Sequence, residues 1–314
     1  MSKEGQKSDL PVCSLCTEPA VIYQRHVDRH LCGTHFTADV ELRVADIIKT
    51  QQMIVPRDRV AVALSGGKDS TALLLILNRL LQKWQNFQLI ALTIDEGIAG
   101  YREETIQSAE QLTGQFGIEH HCISFSDLFG DTLDAFLKFR ETQACSICGI
   151  LRKKALVRGA NQAGATKLAT GHNLDDEAQS VLMNVFRGDL PRLVRNSGAD
   201  SSGRFIPRIK PLSLISEKEI ATYLVLKDAW RHLPDCPYTR YALRREVRSM
   251  LSGFEYRHPG TMLHLMESKK KIEHFYAGSV ISEPIKSCRE CGDPSSGELC
   301  QLCMLMQSLR RGHT

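Results

Sequence analysis

The chain predicts an α/β fold, a doubly wound parallel sheet flanked at each end by a small metal-held module. Three observations carry that expectation. Short apolar runs alternate with amphipathic segments through the middle of the chain, a glycine-rich turn follows the first of those runs, and cysteine pairs crowd both ends. A length of 314 residues leaves room for one sizeable domain with appendages. The expected division is a finger at 1–36, a linker helix at 37–56, a nucleotide-binding domain at 57–255, and a helix with a second finger at 256–314.

The N-terminal module rests on Cys13-x-x-Cys16, fifteen residues, then Cys32-x-x-His35, the spacing of a tetrahedral zinc site. Phe36, Val40, Val44, Ile47 and Ile48 then fall near a helical period, which predicts a connecting helix over Phe36–Gln52. Strands are expected at Val60–Leu64, Gln88–Ile94, Ile118–Phe125 and Lys167–Thr170. Helices are expected at Asp69–Lys83, Arg102–Phe116, Ser126–Arg140 and from Leu174 to Phe186. Cys122, inside the third strand, reads as an ordinary buried residue.

From Arg187 to Pro211 the periodicity fades into a basic loop carrying Arg187, Arg192, Arg195, Arg204, Arg208 and Lys210. Helical patterns resume at Ser216–Trp230, Thr239–Leu251 and Pro259 to Tyr276. The tail holds Cys288-x-x-Cys291, eight residues, then Cys300-x-x-Cys303, a second zinc spacing. Units this small need a metal to hold them together.

Composition bounds the rest. A net charge of +4 permits a nucleic-acid partner without demanding one. No stretch approaches the roughly 20 apolar residues of a membrane span, and the first residues lead into no signal core, so a soluble, cytoplasmic protein is expected. Eight of the eleven cysteines fall in four close pairs, which then read as metal ligands rather than disulfides.

The chemistry starts at Ala63-Leu64-Ser65-Gly66-Gly67-Lys68-Asp69-Ser70-Thr71. A glycine turn between strand and helix offers backbone N–H groups and a helix N-terminus to phosphate. Its spacing is wrong for the Walker loop. Lys68 would neutralise charge on leaving pyrophosphate, Ser65 and Ser70 can donate to phosphate oxygens, and Asp69 reads as a magnesium ligand or a helix cap. Asp95, at the end of the second strand, could serve the metal or simply close a turn. Gly171-His172-Asn173-Leu174-Asp175-Asp176-Glu177 opens the helix after the fourth strand, so Gly171 and Asp176 would face the same crevice, unless the aspartates only cap the helix.

Cys145, Cys148 and Cys236 make a third constellation. Three thiolates can hold an iron–sulfur cluster with one iron left open; alternatively Cys145 and Cys148 form a persulfide-carrying redox pair and Cys236 is structural. Spacing alone leaves both readings standing.

The hexapeptide Ser65–Ser70 resembles the PP-loop of ATP pyrophosphatases, whose domain is adenine nucleotide alpha-hydrolase-like. Together with the cysteine motifs, Asp95-Glu96-Gly97, Thr170-Gly171-His172-Asn173 and Arg187-Gly188-Asp189, the chain resembles the TtcA/TtuA family of tRNA 2-thiolation enzymes, in its archaeal and eukaryotic cytoplasmic branch. The resemblance implies ATP with Mg2+, two Zn2+ and a [4Fe-4S] cluster on Cys145, Cys148 and Cys236. It also implies a homodimer, which leaves room for an accessory subunit, a tRNA substrate, and sulfur from a thiocarboxylated ubiquitin-like protein or free sulfide. The uridine C2 oxygen would be adenylated and replaced by sulfur. Asp176 matches a catalytic aspartate of the family, whereas Arg152 stands where TtuA has a catalytic lysine. An arginine stabilises negative charge but is a poor acid or base. That difference points to the wobble uridine rather than a T-loop uridine. Arg187, Arg192, Arg195, Arg204, Arg240, Arg244, Arg245 and Arg248 are candidates for phosphate contacts, or plain surface charge. Rival readings are a lysidine-type ligase, an amidotransferase synthetase domain, or a zinc-knuckle adaptor with a dead nucleotide fold.

Overall fold

The computed structural model describes residues 11–138, 140–194, 206–238, 244–276 and 286–311. The chain opens with a hairpin, β1 (Ile22–Gln24) and β2 (Arg29–Leu31), and α1 (Gly33–Thr50). Next come β3 (Arg59–Ala63), α2 (Lys68–Trp84), β4 (Gln88–Asp95), α3 (Arg102–Phe116) and β5 (Glu119–Ser124). Two short helices, α4 (Phe125–Phe129) and α5 (Leu133–Phe136), and a 3-10 turn at Glu141–Gln143 lead to α6 (Ala144–Gln162). β6 (Lys167–Ala169), α7 (Leu174–Phe186), α8 (Leu190–Val194), β7 (Arg208–Ile209) and α9 (Glu217–Leu226) follow. The last elements are α10 (Arg244–Arg257), α11 (Thr261–Tyr276), the hairpin β8 (Lys286–Ser287) with β9 (Pro294–Ser295), and α12 (Gln301–Arg311).

Five strands form one sheet in the order β5-β4-β3-β6-β7, every pair parallel. The chain steps outward from β3 to β4 and β5, then returns to the other side of β3 with β6 and β7. The order therefore reverses between β3 and β6, and the loops leaving those two strands diverge to open a ligand crevice. The loop after β3 is Ser65–Gly67, and the segment after β6 is Gly171–Asn173.

Both sheet faces are covered, which is why the strands read as continuous apolar runs. Val60, Val62 and Leu64 pack with α1, α2 and α9 on one face; Ala61, Ile90 and Leu92 pack with α6 and α12 on the other. Emptying one such position, as in Leu92→Ala, would cost about 2–5 kcal/mol. A third apolar cluster joins α7, α10 and α11 through Leu174, Leu251, Met262 and Met266.

Four sequence expectations need correction. The helix expected over Ser126–Arg140 breaks at Gly130, whose φ of 90° a right-handed helix cannot contain, giving α4 and α5 instead. Cys122 is exposed, not buried, because β5 is an edge strand and only partly covered. The stretch read as a basic loop contains α8 and β7, the sheet's fifth strand. Finally, α6 was not foreseen as a helix: its first turn carries Cys145 and Cys148, and glycine and basic residues dilute the apolar period. Arg195, Arg204 and Arg240 lie outside the described residues.

Candidate active site

The turn between β3 and α2 is built from its own side chains. Ser70 Oγ accepts the Ser65 N–H at 3.2 Å and donates to the Gly67 carbonyl at 2.9 Å, so the loop is closed before any ligand arrives. Gly66 has a φ of 83°, and a Cβ there would lie 2.3 Å from the Thr105 carbonyl oxygen. Only glycine fits. Gly67 caps α2 without a side-chain bond, leaving the first-turn N–H groups of the helix for an anion.

Lys68 projects beside this turn, where its Nζ lies 2.9 Å from Asp69 and 2.9 Å from Glu217 at the start of α9. Partial burial disfavours its charge, but the two carboxylates outweigh that and hold it above the ordinary lysine range. Glu217 also accepts Arg248 of α10 at 2.6 Å. Sequence reasoning missed Glu217, since a glutamate in a helix's first turn reads as a dipole partner.

The segment after β6 is pressed against the same loop. A Cβ on Gly171 would sit 3.0 Å from the Asp69 carbonyl carbon and the Ser70 nitrogen, so the two segments abut only because that residue is glycine. Asn173 caps α7 by accepting the Asp176 N–H at 2.9 Å, and its amide donates to Asp69 at 3.0 Å. Asp176 returns a bond to the Asn173 N–H and lies 3.6 Å from Arg244. It is thus a helix-capping residue that also faces a cation. Asp95 accepts the Gly97 N–H at 2.8 Å, the turn-closing role that the sequence left open. Burial, and then the charge of Lys210, keep His172 below the ordinary histidine range.

The third element is α6. Cys145 and Cys148 lie one turn apart at its start, with the Cys145 thiol 3.9 Å from the Tyr238 carbonyl, and Cys236 and Tyr238 pack on the same apolar cluster. Cys145 and Cys236 lie close enough to disfavour a charge on Cys148, and Cys145 does the same to Cys236. Burial pushes the Cys148 thiol up to about 11, and Arg152 opposes this by donating to its sulfur at 3.3 Å. Three soft thiolates are the donor type of an iron–sulfur cluster, so the residues present fit one.

Arg152 does not stand alone. Its Nε lies 2.7 Å from Glu96, a carboxylate only 3% exposed, whose other oxygen lies 2.7 Å from the Arg102 Nε. Arg102 is also buried and donates to the Ser65 carbonyl at 3.2 Å. Burial disfavours the Arg152 charge, but Glu96 and then the cysteine overcome this and hold it more firmly protonated. An unbroken chain of polar contacts therefore runs from the phosphate loop, through Arg102, Glu96 and Arg152, to Cys148. Sequence reading gave a role to Asp95 and none to Glu96 and Arg102, although Glu96 stands in the motif that carries the resemblance; a charged residue directly after a buried strand was the available signal.

The terminal modules have a different geometry. Cys13, Cys16, Cys32 and His35 place their ligand atoms within 4.8 Å of one another, and so do Cys288, Cys291, Cys300 and Cys303. These donor sets and spreads fit one tetrahedral Zn2+ each. The first module joins the core of α1 and α9, where Gln24 and Arg43 both bond Glu219. The second rests on α6 through Leu302 and Leu309 and through a Lys154–Asp293 ion pair.

Comparison with known proteins gives this geometry a family. Residues 37–251 match the model of the PP-loop domain, and residues 12–37 match the N-terminal LIM domain of the 2-thiouridine synthetase TtuA. The tRNA 2-thiolation protein NcsA of Haloferax volcanii is 37% identical over 317 residues, covering 95% of this chain and 98% of its own. Cytoplasmic tRNA 2-thiolation protein 1 of Caenorhabditis elegans is 36% identical over 303 residues, covering 95% and 80%. A solved structure, the U34-tRNA thiolase NcsA from Methanococcus maripaludis with its [4Fe-4S] cluster, superposes with a TM-score of 0.82 at 32% identity, covering 95% of this chain and 96% of that one. The matches run over nearly the whole of this chain, and the chain belongs to the PP-loop family of tRNA 2-thiolation proteins.

Proposed function

We propose that this protein is an ATP-dependent tRNA sulfurtransferase that converts a uridine, at the wobble position, to 2-thiouridine. The observation that carries this reading is the contact chain from Ser65 to Cys148, because it joins a phosphate-activating loop to a sulfur-handling cysteine. A lysidine-type ligase or another adenylating enzyme has no task for that cysteine, and the intact Lys68, Asp69 and Asp176 speak against a dead adaptor.

In the first step the uridine C2 oxygen attacks the α-phosphorus of ATP, and pyrophosphate leaves. Backbone N–H groups of Gly66 and Gly67 and the N-terminus of α2 face its phosphates, and Lys68 exchanges Glu217 for the developing negative charge. Asp69 and Asp95 are the candidate carboxylates for Mg2+. In the second step a sulfur nucleophile adds at C2 and AMP departs as the leaving group, leaving a C=S bond. Asp176, beside Arg244, would manage a proton at the uridine, while Arg152 would stabilise anionic sulfur without transferring protons. Cys145, Cys148 and Cys236 would hold a [4Fe-4S] cluster, which when bound supplies an iron with an open position for sulfur.

Two Zn2+ ions would brace the terminal quartets. A sulfur-donating ubiquitin-like protein or free sulfide, a homodimeric assembly with or without an accessory subunit, and a cytoplasmic location complete the proposal. No helix among the described residues is long and apolar enough to cross a membrane, and one relative carries "cytoplasmic" in its name. Arginine at position 152, and a related structure described as a U34 thiolase, favour the wobble uridine over a T-loop uridine.

Nucleoside mass mapping tests the reading: anaerobic incubation with unmodified tRNA, ATP and sulfide should place 2-thiouridine at the wobble position. Thiouridine in the T-loop would redirect the site, and none anywhere would overturn the proposal.

A further inference from the structure

A second cationic site lies outside the phosphate loop. The end of α1, the edge strand β7 and the outer part of α11 enclose a cleft of about 390 Å³. Five cations line it, contributed by β6, β7, the residue after β7, and α11. Two of them are neutralised: Lys210 lies 2.6 Å from Glu177, and Lys269 lies 3.5 Å from Glu273. Lys167, Arg208 and Lys270 have no hydrogen-bonding or ion-pair partner among the described residues.

Arg208 is the informative member. Its guanidinium is partly buried, and burial draws it below the ordinary arginine range, with no carboxylate among the described residues to offset the cost. A desolvated, unpaired cation is expensive to keep, and the same cost becomes affinity when an anion enters. Such residues mark recognition surfaces when other cations surround them.

We propose that this cleft binds the phosphate backbone of the RNA substrate. The inference rests on the thiolation reading and extends it to a surface separate from the ATP loop. A mononucleotide site would focus its donors on one point, as the turn between β3 and α2 does. Here the cations are spread from β6 across the sheet edge to α11, a distribution that suits successive phosphodiesters. The cleft also neighbours the segment after β6. Glu177, which holds Lys210, follows Asp176 on α7, and Lys210 and Arg208 both act on the charge of His172. RNA held along β7 would therefore be led toward the segment after β6. The cleft orients the substrate without touching the reacting atoms.

Fluorescence anisotropy with an unmodified tRNA transcript, over a range of salt concentrations, tests this. The triple variant Lys167→Gln/Arg208→Gln/Lys270→Gln should bind on the order of tenfold more weakly at moderate salt. Its dependence of log affinity on log salt should flatten by about 2–3, close to one unit per lost phosphate contact. ATP affinity should not change. Because Arg208 is partly buried, the double variant Lys167→Gln/Lys270→Gln provides a second reading, with an expected flattening of about 1–2. Wild-type affinity and salt slope in both variants would overturn the cleft while leaving the thiolation reading intact. So would inorganic phosphate binding that the triple variant loses while tRNA binding is unaltered. Failure of the wild type to bind tRNA at all would instead overturn the thiolation reading, and this inference with it.

Discussion

Two kinds of cysteine site coexist in this molecule, and they are built in opposite ways. In the terminal quartets the four ligand atoms lie within 4.8 Å of one another. At Cys13 burial raises the thiol but backbone N–H groups of Cys32 and Leu15 win, and at Cys288 the N–H groups of Cys291 and Cys300 dominate; both thiols are drawn down to about 6. In the triad Cys148 is pushed up to about 11 by burial, and Arg152 opposes the rise. The quartets are closed sites in which one thiol is drawn down while neighbouring thiols, Cys16 in the first and Cys300 and Cys303 in the second, are raised, as befits sulfurs crowded within reach of one ion. The triad is open, running from buried Cys148 to exposed Cys145, and Arg152, the cation that bonds Cys148, is wired to the phosphate loop. A closed site suits a structural ion, and an open one suits chemistry.

The strongest way to break this comparison is Cys236→Ala. Thiolation should fall below detection and iron should be lost on anaerobic purification, while zinc stays at two per chain and the melting temperature barely moves. Full activity without iron would erase the distinction between the sites. Lys68→Ala comes next: tRNA-dependent AMP release should drop about 10²–10³-fold, with both metals retained. Equal AMP release by the variant would remove the lysine from the activation step. Substituting Cys300→Ser should release one zinc and destabilise α6, lowering the melting temperature by several degrees. Activity per folded molecule should change less than tenfold; a complete loss at constant fold would make the quartet part of the chemistry. The smallest effect is expected for Arg152→Lys, which keeps the charge but loses the fork between Glu96 and Cys148. It should cost about tenfold in turnover, and Arg152→Ala more, whereas equal losses would mean that charge plays no part.

The parts of the fold that repeat a period were legible in the sequence. Arg102–Phe116 and Leu174–Phe186 were read at their observed bounds, and β3 and β4 within one residue, because strands covered on both faces read as unbroken apolar runs. What escaped was set by tertiary context. β7 is two residues long, so pairing with β6 rather than sequence pattern makes it a strand. In α6 the cysteines and basic residues belong to a site, and they blur the apolar stripe that would have announced a helix. At the site, Ser65–Ser70 and the cysteines were visible as types and spacings. Glu96, Arg102 and Glu217 were not, since only folding reveals that they meet Arg152, Ser65 and Lys68.

The central claim is that the phosphate loop activates the uridine C2 oxygen in the cavity where sulfur arrives. An isotope experiment reaches it directly: tRNA carrying 18O at uridine C2, one anaerobic turnover with ATP and sulfide, and mass analysis of the AMP released. One 18O atom per AMP, in step with thiouridine formed, is the result this account predicts. Unlabelled AMP alongside thiolated tRNA would contradict it.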